Sequence, residues 1–226
     1  VDDGVEVMSL HFEADFERSG RSVLSILPIV WKNGWPKAGK KMSEGVYSIQ
    51  SERRGYALEL ATDFVRIQQD RAAWWNIKDD DPIKTLSTQQ LSDVQNSWPK
   101  GTAPARLSDY MLRPNQYWKI EPVEGKGGYP GNPYFKITID GTTRTLAASN
   151  GMDVVVDENF TGNDTQLWRI EQCTDGTYRI MPKRIPGASS DNTKLVLYSI
   201  ADSTPILKEW DSKDDNAKWN FVNKEN

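Results

Sequence analysis

Short apolar or alternating runs, each bounded by turn residues, follow one another along most of the chain. Residues 5–12 alternate in part between apolar and polar positions, and residues 21–31 form a largely apolar run. Ser19-Gly20 between them is typical of a hairpin turn, and Asn-Gly-Trp-Pro at 33–36 is typical of a turn after the second strand. Short strands separated by turns predict an all-β sandwich or barrel.

One segment has a helical pattern instead. Residues 87–94 begin with Ser and Thr, as helices often do, and Leu91 and Val94 lie three residues apart on one helical face. We therefore predict a short helix there in an otherwise β-strand protein.

Three tryptophans recur at almost equal spacing, about 50 residues apart, and each lies near the end of a similar segment. They are Trp118, Trp168 and Trp219. The beginnings of the segments repeat as well, with Gly-Val-Tyr-Ser-Ile at 45–49 and Gly-Thr-Tyr-Arg-Ile at 176–180. A period of this size indicates a supersecondary unit that buries its apolar face only when three copies close one core.

The three units differ in length. The third has extra residues at 185–192, rich in Pro, Gly, Ser and Asn, which indicates a lengthened hairpin loop. The first unit is the longest, so we predict an insertion in it at about residues 70–113. The insertion contains Trp74, Trp75 and Trp98, which either line a glycan groove or fix the insertion onto the rest of the protein, and we favour the second role.

Composition narrows the classes of function. The chain has 226 residues and a net charge of −4, which argues against a nucleic-acid partner. No stretch is long and apolar enough for a membrane-spanning helix, and no signal peptide is visible at Val1. Cys173 is the single cysteine, so no disulfide can form within the chain.

The ends of the three units carry a resemblance to a known family. Gln116-Tyr117-Trp118 and Gln166-Leu167-Trp168 match a Gln-x-Trp motif, whereas Ala217-Lys218-Trp219 has lost its Gln. Three such motifs in period resemble the ricin-type β-trefoil lectin domain. The resemblance implies a β-trefoil over residues 44–226, with the long insertion in its first unit.

A second resemblance lies at the start of the chain. Residues 20–31, followed by the turn at 33–36, are similar to the end of the last blade in the five-bladed β-propeller of glycoside hydrolase family 43, with Asn33 in place of an Asp. This implies that residues 1–40 are the C-terminal part of such a propeller. The chain is then the C-terminal portion of a secreted, periplasmic or cell-surface bacterial enzyme that acts on plant arabinan or arabinoxylan.

The two resemblances together imply a non-catalytic, carbohydrate-binding portion of a glycosidase. Family 43 enzymes use a pair of carboxylates from earlier blades, which residues 1–40 do not include. The expected partners are glycans that contain arabinose, xylose or galactose, and the catalytic propeller itself. Two alternatives stay open: a trefoil with decayed pockets that braces the propeller, and an enzyme in its own right, which the missing carboxylate pair disfavours.

The family 43 resemblance also implies a cation, calcium or another, on the propeller axis of the parent enzyme. His11 lies in the strand where several members place a histidine beside that cation, and imidazole can bind a cation. One ligand does not make a metal site, so a structural role for His11 stays open. The acidic residues 79–81 lack the regular spacing of a calcium loop and favour a solvated turn.

The ricin-type resemblance implies sugar pockets built from an Asp early in each unit, an aromatic platform, and an Asn or Gln near the end. A ring under the apolar face of the sugar, with a few directional polar groups, is the physical requirement. When the units are aligned by the leucine before the Asp, the three positions hold Glu59, Ala147 and Tyr198. The second unit also has Glu158 where the aromatic residue is expected, so we predict that its pocket is lost.

The candidate carbohydrate-binding residues therefore lie in the first and third units. In the third unit Trp210 is the predicted platform, with Tyr198, Asp211 and Asn216 nearby. In the first unit Glu59 can bond a hydroxyl in place of the Asp.

The two N-terminal strands need a partner, because an isolated hairpin is marginal in water. The apolar residues between 23 and 30 would otherwise leave an exposed patch beside open strand edges. The hairpin must pack on the trefoil, pair with another polypeptide, or belong with a propeller supplied by a separate fragment. We favour the last of these.

Overall fold

The computed structural model describes residues 3–15, 21–62, 88–129, 132–186, 194–200 and 204–224. Within these residues the chain is built from β-strands, one α-helix and short 3-10 turns. The first three strands are β1 (Val7–Asp15), β2 (Arg21–Lys32) and β3 (Trp35–Ala38), and they form an antiparallel sheet in the order β1-β2-β3. Asn33 and Gly34 both have positive φ, 55° and 77°, as the two central residues of a tight hairpin turn require.

Three units of four strands follow. The first contains β4 (Gly45–Ser51), β5 (Ala57–Leu60), the helix α1 (Thr88–Asn96), β6 (Ala103–Ser108) and β7 (Tyr117–Pro122). After the short pair β8 (Gly128–Tyr129) and β9 (Asn132–Pro133), the second unit contains β10 (Phe135–Ile139), β11 (Thr145–Ala148), β12 (Val154–Asp157) and β13 (Trp168–Gln172). The third contains β14 (Tyr178–Pro182), β15 (Leu195–Ile200), β16 (Thr204–Glu209) and β17 (Trp219–Asn223).

The first and last strands of the units close a six-stranded barrel. Around the ring β4 pairs with β7, β7 with β10, β10 with β13, β13 with β14, β14 with β17, and β17 with β4, all antiparallel. The two middle strands of each unit form a hairpin, β5–β6, β11–β12 and β15–β16. A closed barrel with three hairpins is a β-trefoil, so the predicted fold class is confirmed.

The repeated tryptophans hold the barrel and the hairpins together. Trp118, Trp168 and Trp219 are all fully buried in the main core. Their indole N–H groups donate to the carbonyls of three equivalent leucines at 2.8, 2.9 and 2.8 Å; these are Leu58, Leu146 and Leu197, respectively. Each unit therefore repeats one hydrogen bond from its last strand to its hairpin, and these leucines align as the sequence predicted.

The extra chain of the first unit lies between β5 and β6. The predicted helix is present as α1, and Trp98 is 6% exposed and packs in the main core. Strand β6 lies inside the range predicted as an insertion, yet it pairs with β5 as part of the trefoil. Trp74, Trp75 and the acidic residues 79–81 lie outside the described residues.

The N-terminal sheet is tied to the trefoil by backbone hydrogen bonds. The N–H of Trp31 donates to the carbonyl of Thr174 at 2.8 Å, and the N–H of Thr174 donates to Gly4 at 2.9 Å. The N–H of Lys40 donates to the Gln172 side chain at 2.6 Å. Packing on the trefoil, one of the three arrangements open to the hairpin, is thus present, and a further propeller partner stays a prediction.

Candidate functional site

The third-unit candidate Tyr198 is largely enclosed by its own neighbours. Its side chain is 8% exposed, and its hydroxyl donates to the Asp214 carboxylate. The Lys208 ammonium lies 4.3 Å from the ring centroid and donates to the same hydroxyl at 3.3 Å. The hydroxyl and one ring face of Tyr198 are thus used within the protein.

Asp214 organises the loop that follows. Its carboxylate accepts from the Asn216 N–H at 3.0 Å and from the Asn216 amide at 2.6 Å. Burial raises the pKa of Asp214, but the hydrogen bonds from Tyr198 and Asn216 outweigh this and lower it below its usual value. The amide oxygen of Asn216 accepts from Arg53 at 2.9 Å, so both ends of this predicted sugar-binding amide already have partners.

The predicted platform Trp210 is covered by the N-terminal segment. Its indole N–H donates to the carbonyl of Asp3, and the Arg179 guanidinium lies 5.3 Å from its ring centroid. A Cβ added at Gly4 would come within 3.2 Å of the Trp210 ring. Asp211 is exposed, and its carboxylate accepts from the N–H of Lys213 at 2.9 Å.

Glu59 does not reach the surface. It is fully buried, and its carboxylate accepts from Arg106 Nε at 2.7 Å and from Gln116 Nε2 at 2.8 Å. Arg113 Nη1 lies 3.9 Å from the same carboxylate. The Glu59 carboxylate is thus used within the protein, by two partly exposed arginines and by the amide of Gln116, and a bond from Glu59 to a sugar hydroxyl stays a prediction.

The motif glutamines fix the loops before the last strands. Gln116 accepts from the N–H of Met111 at 2.9 Å, and Gln166 accepts in the same way from Thr161 at 2.8 Å. Gln166 also donates to Asp157 at 2.8 Å. These glutamines therefore hold the loop in place. In the third unit Ala217 replaces the Gln, and Asp214 holds the loop instead.

Phe160, a residue that the sequence alignment missed, lies at the position equivalent to Trp210. The N–H of Phe160 donates to Thr143 at 3.1 Å, and that of Trp210 donates to Lys194 at 3.0 Å. Thr143 and Lys194 each stand three residues before the aligned leucine of their unit. The aromatic position of the second unit therefore holds Phe160 rather than Glu158. The sequence signal for this was spacing, because Phe160 precedes Trp168 by almost the same number of residues as Trp210 precedes Trp219.

A groove opens beside Phe160, between the first and second units. Its volume is about 490 Å³, within the range of roughly 300–1,000 Å³ typical of small-ligand sites. Its lining comprises Lys119, Glu121, Lys136, Thr138, Gly141, Thr142, Thr143, Asn159 and Phe160. We call this the Phe160 groove.

The charges in the Phe160 groove are held in a network. Glu121 lies 2.9 Å from the Lys119 ammonium and 3.1 Å from that of Lys136. The hydrogen bond from Lys119 contributes most to lowering the pKa of Glu121, so this carboxylate stays ionised. Lys136 also lies 5.5 Å from the centroid of Phe160. The groove thus combines an aromatic ring, charged groups, hydroxyls and an amide.

The remaining candidates do not form a reactive site in the described part of the chain. The backbone of His11 pairs with Leu24 in the first sheet, but its side chain lies outside the described residues. Cys173 is 2% exposed, and burial raises the pKa of its thiol to about 11, which keeps it protonated at neutral pH. Among the described residues, no three His, Cys, Asp or Glu side chains are grouped to hold a metal ion, and no described helix is long and apolar enough to cross a membrane.

Comparisons with known proteins agree with the trefoil. Residues 114–198 match the family model described as ricin-type beta-trefoil lectin domain-like, and no curated protein matches the sequence. A mosquitocidal holotoxin is 16% identical with a TM-score of 0.54, and the match covers 84% of this chain but 18% of the holotoxin.

Two further similar structures have TM-scores below 0.5. The designed threefold symmetric protein ThreeFoil is 19% identical with a TM-score of 0.49, over 80% of this chain and 99% of that one. SeviL, solved with an asialo-GM1 saccharide, is 16% identical with a TM-score of 0.46, over 81% of this chain and 100% of that one. The strand pairing described above shows the β-trefoil, and residues 114–198 are similar to ricin-type lectin domains.

Proposed function

We propose that this trefoil binds carbohydrate and does not catalyse a reaction by itself. The observation that carries the proposal is the Phe160 groove, where an aromatic ring lies beside hydroxyl, amide and charged groups. A sugar presents an apolar C–H face to such a ring and hydroxyls to such polar groups. The lectin-like match of residues 114–198 supports the same function.

The finer form of the proposal is attachment to a family 43-like catalytic propeller that acts on arabinan or arabinoxylan, outside the cytoplasm. The apolar surface of the N-terminal sheet supports a large neighbour there. Val7, Leu24 and Ile26 are 63%, 65% and 50% exposed, and Trp35 is 74% exposed. Apolar patches of this kind mark interaction surfaces.

A bracing role is the second candidate, and the third unit favours it. Trp210, Tyr198 and Asn216 all bond to other parts of the same chain. A trefoil whose candidate pocket residues are used in this way can serve to position a neighbouring domain.

The experiment that separates the two roles is affinity electrophoresis through gels that contain arabinan, arabinoxylan, galactan or polygalacturonate. Carbohydrate binding predicts retardation by at least one polysaccharide, and loss of that retardation in Phe160→Ala. Trp35→Ala is the matched control, since it removes an exposed aromatic ring from the N-terminal sheet. Migration unchanged by every polysaccharide favours the bracing role.

A further inference from the structure

The Phe160 groove has a structural counterpart between the second and third units. In the first pair of strands Lys136 lies opposite Glu121, and in the second pair Arg179 lies opposite Glu171. The repeated tryptophans fix this alignment, because Trp118 lies opposite Ile139 and Trp168 lies opposite Pro182. Positions 119, 121, 136 and 138 therefore correspond to positions 169, 171, 179 and 181.

Each groove contains two cationic side chains, one glutamate and one aromatic ring in equivalent positions. In the counterpart groove Arg179 Nη2 lies 2.6 Å from the Glu171 carboxylate, and Arg169 Nε lies 3.1 Å from it. Arg179 lies 5.3 Å from the centroid of Trp210, as Lys136 lies 5.5 Å from that of Phe160. In each groove two cations share one glutamate beside an aromatic ring.

The counterpart groove is occupied by the chain itself. The Asp3 carboxylate lies 3.4 Å from Arg179 Nη1, and its carbonyl accepts from the Trp210 indole. Gly4 lies against the Trp210 ring, and its carbonyl oxygen accepts from the N–H of Thr174 at 2.9 Å. A carboxylate, acceptor oxygens and a C–H surface thus fill this groove, and the carboxylate balances the excess positive charge of Arg169 and Arg179 over Glu171.

The lining of the Phe160 groove also has two cations and one carboxylate, but it has no second carboxylate in the place that Asp3 takes in the counterpart groove. Of that lining, Lys119 and Lys136 are cationic and Glu121 is anionic. Glu44 and Asp140 act on Lys119 from outside the lining. Lys136 therefore faces the groove with Glu121 as its partner, and Glu121 is shared with Lys119.

We propose that the Phe160 groove binds a saccharide that carries a carboxylate, such as a hexuronate unit. The carboxylate lies at Lys136, as that of Asp3 lies at Arg179, and the C–H face of the sugar lies on Phe160. This inference rests on the proposed carbohydrate-binding function and names the class of sugar.

The lining favours a saccharide over an acidic peptide. Phe160 lacks the N–H with which Trp210 holds the carbonyl of Asp3, so the groove has no equivalent anchor for a peptide backbone. Thr138 stands where the counterpart groove has Met181. Thr142 and Thr143 donate their hydroxyl protons to backbone carbonyls at 2.9 and 3.0 Å. The Thr142 oxygen also accepts from the N–H of Arg144 at 3.2 Å, so the Thr143 oxygen is the better placed of the two to accept from a sugar hydroxyl.

The test is isothermal titration of the whole chain with a galacturonate trisaccharide, with the neutral galactose trisaccharide, and with the peptide Val-Asp-Asp-Gly-Val. We expect the acidic sugar to bind with about millimolar affinity. The neutral sugar and the peptide should bind at least about tenfold more weakly. Raising the salt concentration should weaken the binding of the acidic sugar, because the contact is ionic and partly exposed.

Three variants locate the site. Lys136→Met and Phe160→Leu keep the bulk of the side chain. Each should weaken the binding of the acidic sugar by about fivefold or more. Lys37→Met, which removes an exposed cation from the N-terminal sheet, should leave it unchanged. Equal binding of the neutral sugar, tighter binding of the peptide, or full binding by Lys136→Met would overturn the inference while leaving the proposed function standing. Absence of binding by both saccharides would overturn the inference, and the electrophoresis with arabinan and arabinoxylan would then decide whether the proposed function stands.

Discussion

At the scale of single residues, the repeated tryptophans account for most of what the sequence specifies. Each one fills the core with a large ring and satisfies its indole N–H on a hairpin carbonyl, so burial carries no unpaired polar group. In each unit the acceptor is the carbonyl of the equivalent leucine. The period in the sequence is therefore the period of one hydrogen bond.

Replacing Trp168 by Ala should lower the free energy of unfolding by about 3–5 kcal/mol. The change removes a fully buried ring and leaves the Leu146 carbonyl without its donor. Chemical denaturation followed by circular dichroism measures the effect. Trp35→Ala, at a 74% exposed tryptophan, is the control and should change the stability far less. Similar losses in both variants would show that Trp168 has no special role in the core.

Sequence position alone does not show how two of the candidate residues are used in the fold. Glu59 lies at the position expected for a sugar-binding acid. Its position along the strand does not show whether its carboxylate bonds to a ligand or to other residues of the protein. Arg106 and Gln116, both distant in sequence, hold it in the interior. Phe160 was missed although it precedes Trp168 by a spacing similar to that between Trp210 and Trp219, and its backbone bond to Thr143 shows that it is equivalent to Trp210.

At the scale of elements, the loop before β17 shows how the third unit replaces a lost motif residue. Asp214 caps the short 3-10 turn at Asp215–Ala217 and accepts from the Tyr198 hydroxyl. These bonds lower the pKa of Asp214 in the folded protein. A carboxyl with a lowered pKa stabilises the fold above its unfolded pKa, and this contribution is lost as the pH falls through the folded value.

We therefore expect Asp214→Asn to cost about 1 kcal/mol at neutral pH, a value kept small because the group is partly exposed. The difference between variant and parent should shrink as the pH is lowered below the usual carboxyl range. Urea unfolding at a series of pH values tests this, with Asp211→Asn in the same loop as the control. A difference that stays constant down to the most acid pH would show that the charge of Asp214 is not involved.

At the scale of the whole molecule, three similar segments and their spacing were enough to predict the trefoil and its buried tryptophans. The state of the two grooves was not predictable in this way. Asp3 and Trp210 meet from opposite ends of the chain, and no local pattern records that contact. The segment that covers Trp210 is also what distinguishes the occupied groove from the Phe160 groove.

A nuclear magnetic resonance titration of the isotope-labelled chain with oligosaccharides tests most directly whether the Phe160 groove binds sugar. We expect the largest backbone shifts around the Phe160 groove, at residues 119–121, 136–143 and 158–160, and we expect an acidic oligosaccharide to produce them at the lowest concentration. Residues 198–216, where the chain covers its own aromatic platform, should shift little. Shifts centred on residues 198–216, or no shifts with any saccharide at tens of millimolar, would show that the Phe160 groove is not the binding site.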